Sequence, residues 1–292
     1  NLYSGLGSAY FKRGRMGEAS ATFAQALAVG EVALGPEHPQ VGQALSRIGM
    51  IASRERRFDE AAAALERALA IYERALGPEH PRVAEVLSYL GELEIRRWAY
   101  PRAIERLRRA VAIAEAAHGE AHALVATCLG SLTVALYKAG EGEAALEAAT
   151  RALVIGEARL GRDHPNAAIF AANLGEILNE RGAFAEARPH LERAARVLGR
   201  ALGESRPELG PIHRELARAL LGGGEGEVAL SHARLGVELT KGGGVEPDEA
   251  ALAHFVLAQA IAATGGDGEE ARAHAEEARR FFAAEPALRE CP

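Results

Sequence analysis

The sequence repeats itself every 42 residues, and that step limits the chain to architectures that stack one small unit. A-L-G-P-E-H-P occurs at 33–39 and again at 75–81, followed by A-H-G-E-A-H-A at 117–123 and R-L-G-R-D-H-P at 159–165. Their histidines, His38, His80, His122 and His164, are 42 apart each time. A fifth copy, A-L-G-E-S-R-P at 201–207, keeps the step with Arg206 in the histidine's place. A second marker runs midway between these. Turns of G-x-x-x-E-A type begin at Gly14, Arg56, Trp98, Gly140, Gly182, Gly224 and Gly266, again 42 apart. The 292 residues therefore divide into about seven units. A prior of roughly 150 residues per domain suggests two globular domains, but a repeat grows its core along one axis instead.

Each unit reads as two helices. After the connector, Leu45, Ile48, Gly49 and Ala52 share one face at i, i+3, i+4 and i+7. The matching sets are Leu87, Leu90, Gly91, Glu94 and Leu129, Leu132, Thr133, Leu136. In the second helices Ala61, Leu65 and Ala68 recur as Ala103, Leu107, Ala110 and as Ala187, Leu191, Ala194. Small residues at fixed places let helices approach to the short end of the roughly 8–10 Å range. With 48% hydrophobic and only 5% aromatic residues, the composition favours packed helices over a sheet sandwich or disorder.

The small residues resemble the tetratricopeptide repeat, whose helix–turn–helix unit of about 34 residues keeps small side chains at its positions 8, 20 and 27. Gly7, Ala19, Ala26, then Gly49, Ala61, Ala68, then Gly91, Ala103, Ala110, then Gly175, Ala187, Ala194 fit that pattern. The longer step and the A-L-G-P-E-H-P connector are similar to the kinesin-light-chain type of this repeat. So is A-R-P-H-L-E-R-A-A at 187–195, where an A-R-P start to the second helix is common in that family. The resemblance implies an all-α, right-handed superhelical α-solenoid of about seven helix–turn–helix units. The expected units are 1–39, 40–81, 82–123, 124–165, 166–207, 208–247 and 248–292, in one solenoid over 1–292. Gly222-Gly223-Gly224 and Gly242-Gly243-Gly244 read as loop-like and make units six and seven less regular. The last helix, roughly Glu269–Ala284, is rich in Glu and Arg and would cap the stack.

Chemistry-bearing motifs are weak by comparison. Histidines one repeat apart cannot share a zinc ion with roughly 2.0–2.1 Å bonds. Pro39, Pro81 and Pro165 beside them suit the first position of a helix, so a helix-start role is expected. The glycine clusters lack the lysine and hydroxyl of a phosphate-binding loop, and H-E-x-x-H, C-x-x-C and G-x-S-x-G are absent. Cys128 and Cys291 form no disulfide framework. Cys128 is expected to be a small buried thiol, Trp98 a local packing residue, and Glu276 and Glu277 solvated. No catalytic residue, metal or cofactor is expected.

The most informative polar pattern is periodic. The resemblance implies that first helices line the concave surface, where positions 6, 9 and 13 share a face. Position 13 is Lys12, Arg54, Arg96 and Lys138, then Glu180 and Gly222. Position 6 adds Arg47, Tyr89 and Asn173, and position 9 adds Met50, Glu92 and Glu176. Cations down one groove edge attract acidic segments, and Asn173 or Asn179 could bond a peptide backbone. The expected partner site is thus Lys12, Arg47, Arg54, Tyr89, Arg96, Lys138, Asn173 and Asn179, with any acidic ligand over units one to four. A net charge of −6 argues against nucleic acid as a partner, and no run is apolar enough to span a membrane. The function expected is a non-catalytic, cytoplasmic protein-interaction scaffold. Kinesin-light-chain-like repeats also occur in bacterial signalling proteins. The alternative is therefore the regulatory arm of a larger bacterial signalling enzyme, such as a kinase, NTPase or protease. A start at Asn1 and the ending A-x-x-G-G-D-x-E-x-A-R-A-x-A-E-E-A (262–278) are read in favour of such a larger polypeptide.

Overall fold

Histidine starts four of the first helices. The imidazole Nδ1 of His38, His80, His122 and His164 accepts the backbone N–H two residues on, from Gln40, Arg82, Leu124 and Asn166, at 3.1–3.2 Å. This satisfies one of the orphan donors of each helix N-terminus. Proline follows at the first helical position in three of the four, which bears out the helix-start role. The computed structural model describes residues 2–242 and 245–284, and the backbone alone of Lys12. Among them are fourteen α-helices and one 3-10 turn, an all-α helical-repeat solenoid.

The helices are α1 (Leu2–Lys12), α2 (Met16–Leu34), α3 (Pro39–Arg54), α4 (Phe58–Leu76), α5 (Pro81–Arg96), α6 (Tyr100–His118) and α7 (Ala123–Lys138). They continue with α8 (Gly142–Leu160), α9 (Pro165–Glu180), α10 (Phe184–Leu202), α11 (Gly210–Gly222), α12 (Gly226–Thr240), α13 (Pro247–Ala263) and α14 (Gly268–Ala284). They form two compact units, 1–135 and 136–292, with the boundary inside the last turn of α7. In the first unit α1 packs on α2, α3 on α4 and α5 on α6, and α2 packs on α3 and α4 on α5. The second unit repeats this from α8 to α14.

The small residues sit where helices touch. An added Cβ at Gly49 would lie 2.6 Å from Leu65 Cγ, at Gly91 2.5 Å from Leu107 Cγ, and at Gly175 2.6 Å from Leu191 Cγ. Ala61, Ala68, Ala103, Ala110, Ala187 and Ala194 are fully buried. Glu94, in an otherwise apolar set, is buried too and meets Arg102 and Arg106 of α6. Cys128 is fully buried and accepts from Ser88 Oγ at 3.2 Å. Cys291 lies outside the described residues, as do Gly243 and Gly244.

The turn between helices needs one residue at positive φ. Gly14, Gly140, Gly182 and Gly224 supply it, but Arg56 (φ 61°) and Trp98 (φ 59°) take the same conformation at a cost of roughly 1–2 kcal/mol each. The seventh turn departs from the expected register. Gly265, not Gly266, is the left-handed residue. An extra residue, Asp267, then accepts from the N–H of Glu269 at 2.8 Å. This restores α14 to the 42-residue step.

The sixth repeat is irregular, as its glycines imply, and the causes are local. Arg206 offers no side-chain cap, so Pro207–Leu209 forms a 3-10 turn before α11 begins at Gly210. Helix α12 has 15 residues where α10 has 19. Gly222 closes α11 rather than opening a loop, and the Phe184 ring occupies the space that a side chain there would need. The A-R-P segment does not start its helix either. Helix α10 begins at Phe184, so Pro189 lies in its interior and gives up one backbone hydrogen bond.

Candidate functional site

In the first unit the position-6 and position-13 side chains come from α3 and α5. Arg47 Nη1 donates to Tyr89 Oη at 3.4 Å, joining equivalent places on successive first helices. Burial raises the Tyr89 pKa, so the phenol is an uncharged partner. The exposed Arg54 guanidinium lies 5.2 Å from the Phe11 ring of α1, an aromatic face that holds it without spending its charge. Arg96 is half-buried at the end of α5. The Lys12 side chain lies outside the described residues.

The second unit treats its share of the pattern differently. Lys138 Nζ meets Asp248 Oδ2 at 3.1 Å and Glu249 Oε1 at 3.3 Å, both in the first turn of α13. Burial opposes the Lys138 charge, yet Glu249, Asp248 and Glu176 outweigh it and raise the pKa. The cation expected to await an acidic ligand is thus answered by the chain's own carboxylates. Asn179 is also turned to internal use. It is 2% exposed, and its Nδ2 donates to the Glu215 carbonyl at 2.8 Å and to Glu215 Oε2 at 2.9 Å, tying α9 to α11. Asn173 is half-buried on the same helix.

Around Lys138 the first helices of this unit build an ion cluster. Arg214, 2% exposed, bonds Glu176, Glu215 and Glu249 at 3.2, 2.8 and 2.6 Å. Arg218 bonds Glu180 at 2.9 Å and Glu215 at 3.2 Å. The cluster lines a cavity of about 500 Å³, whose wall comes from the end of α7, from α9, α11 and α13, and from Gly140 and Gly142 beside the turn into α8. Extending positions 6 and 9 one repeat further would have found Glu215 and Arg218; the irregular sixth repeat hid them. Asp248 and Glu249 carried only the signal of acids at a helix start.

No group of three or more His, Cys, Asp or Glu among the described residues could hold a metal ion. Burial pushes the Cys128 thiol up to about 11, so it carries no thiolate at neutral pH. The arrangement can bind and orient.

The tetratricopeptide repeat family profile matches residues 1–74, 40–116 and 134–198, well over half of the chain. The chain belongs to the tetratricopeptide repeat family. Solved structures of similar fold include BtubC (BKLC) from P. vanneervenii, with 19% identity, a TM-score of 0.59, and coverage of 79% of this chain and 91% of that one. Another is the kinesin light chain of nearly identical TPR-like repeats from Podosopora anserina, with 22% identity, a TM-score of 0.54, and coverage of 69% and 95%. A third is the APC/C hetero-tetramer Cut9-Hcn1, with 16% identity, a TM-score of 0.65, and coverage of 87% of this chain and 42% of that one. No curated protein matches the chain. The tetratricopeptide fold is that of a protein-interaction scaffold, and no helix among the described residues is long and apolar enough to cross a membrane.

Proposed function

We propose that this chain is a non-catalytic scaffold that seats a peptide segment of a protein partner on the faces of its first helices. The observation that carries this reading is the cavity of the second unit, whose polar wall comes from first helices, the elements that carry the periodic polar positions. A concave surface lined by rigid helices with charged and aromatic side chains suits peptide recognition, since its geometry is fixed before binding. On this reading Arg47, Arg54 and Arg96 of the first unit meet acidic residues of that segment. Arg47 is oriented by the Tyr89 hydroxyl and Arg54 by the Phe11 ring, which lowers the entropy cost of engaging a carboxylate.

The test is partner capture with the intact chain, identification by mass spectrometry, and titration of the captured segment. Arg54→Glu combined with Arg96→Glu is expected to weaken an acidic segment by more than about 10-fold, or roughly 1.4 kcal/mol, with helicity unchanged. Affinity that survives the double variant removes the arginine face from the site.

A further inference from the structure

The cavity of the second unit has an apolar wall facing the ions. Leu252, Phe255 and Val256 of α13 form it, and Phe255 is 47% exposed while Val256 and Leu257 beside it are buried. An aromatic ring left open next to carboxylates fits a ligand group that is both flat and cationic. The charge balance points the same way. Glu176, Glu180 and Glu215 line the cavity with Lys138, Arg214 and Arg218, and Asp248 and Glu249 behind the wall bring the whole ion cluster to five carboxylates against three cations.

The deficit is visible in the side chains. Burial, and after it Glu215, pushes the Glu176 carboxyl above the usual carboxylate range. Asn179, bonded to Glu215 through Nδ2, keeps a buried Oδ1 that no donor reaches. The cluster is short of positive charge and of N–H donors together. All three cations are already committed, Lys138 to two carboxylates, Arg214 to three and Arg218 to two, so an acidic group would find no free counter-ion here. Glu180 and Glu176 each pair with one arginine but keep carboxylate surface exposed, their side chains being 57% and 25% accessible.

We propose that this cavity is a specificity pocket for an arginine side chain of the peptide partner, with the guanidinium stacked on Phe255 and bonded to Glu180 and Glu176. A guanidinium brings one positive charge and five donors in a plane, the combination the pocket lacks. A volume of about 500 Å³ also leaves room for the backbone that carries the side chain. The pocket rests on the scaffold reading but uses different residues, so the two fail separately.

The experiment titrates the full chain with acetyl-Gly-Ala-Arg-Ala-Gly-amide and with the same peptide carrying citrulline, which keeps the shape and loses the charge. Millimolar peptide is followed by the NMR ring signals of Phe255. The arginine peptide should shift those signals and bind at least about 10-fold more tightly than the citrulline peptide. Glu180→Gln with Phe255→Ala, two exposed positions, should reduce it to the citrulline level with helicity retained. Equal binding of the two peptides, no shift at Phe255, or full arginine binding by the double variant overturns the pocket. If it is overturned while Arg54→Glu with Arg96→Glu still releases a captured partner, the scaffold reading stands without it.

Discussion

At Gly91 the absence of one methyl group sets the distance between two helices. The Leu107 side chain fills the space where a Cβ would stand, with Cγ 2.5 Å from it. Neither side can yield easily, since Leu90 and Leu107 are buried at 1% and 0% exposure. Gly91→Ala should therefore cost about 1–3 kcal/mol through overpacking, despite alanine's better helix propensity. Urea unfolding of the single variant and of Gly91→Ala with Leu107→Ala gives the check. The pair should lose less than the sum of the two changes, because the second makes room for the first. The period of the glycine and of the leucine is written in the sequence. That the two meet was expected from the family pattern, and the contact distance shows how strictly.

Within the hairpins of the last repeats, helices are joined by paired histidines. Nδ1 of His213 on α11 lies 3.0 Å from Nδ1 of His232 on α12, with near-parallel rings, and His254 and His274 repeat the contact at 2.8 Å between α13 and α14. One ring must donate and the other accept, so both cannot carry two protons. Burial, and then His232, lowers the His213 pKa from 6.5 to about 4. A depressed pKa means that the unfolded chain takes up the proton first. The stability this pair confers is full above pH 6.5 and is lost as pH falls from there to about 4. The loss amounts to as much as roughly 3 kcal/mol. Denaturation midpoints measured between neutral pH and pH 4 should fall more steeply for the native chain than for His213→Phe. Parallel curves would show that the pair does not control acid stability. Nothing in the order of residues marks these four histidines as partners, since they are 19 and 20 positions apart on helices whose rotation only the packing fixes.

On the scale of the second unit, Lys138 reaches carboxylates 110 and 111 residues away. Its side chain is 23% exposed and those of Asp248 and Glu249 are 13% and 17%. Removing one partner of such a pair leaves the other partly buried and unanswered, which costs more than the pair contributes. Lys138→Met should destabilise the chain by about 2 kcal/mol or more, and adding Asp248→Asn and Glu249→Gln should recover a good part of the loss. Urea midpoints of the three proteins decide it, and an unaffected Lys138→Met would show the contact to be incidental.

A second long-range set is periodic. Glu31 bonds Arg67 at 2.6 Å, Glu73 bonds Arg109 at 2.7 Å, and Glu157 bonds Arg193, each 36 residues apart on neighbouring second helices. The sequence by itself determined the repeat, the helical hairpins, their histidine starts and their small contact residues. These depend on local hydrogen bonding, helical period and side-chain volume, and each is specified within one 42-residue unit. Only the tertiary structure decided what the charges do. Whether Lys138 and Asn179 face a partner or the chain itself depends on which helix starts lie opposite them. That is set by the accumulated rotation from hairpin to hairpin, to which every packed residue contributes and no single one signals.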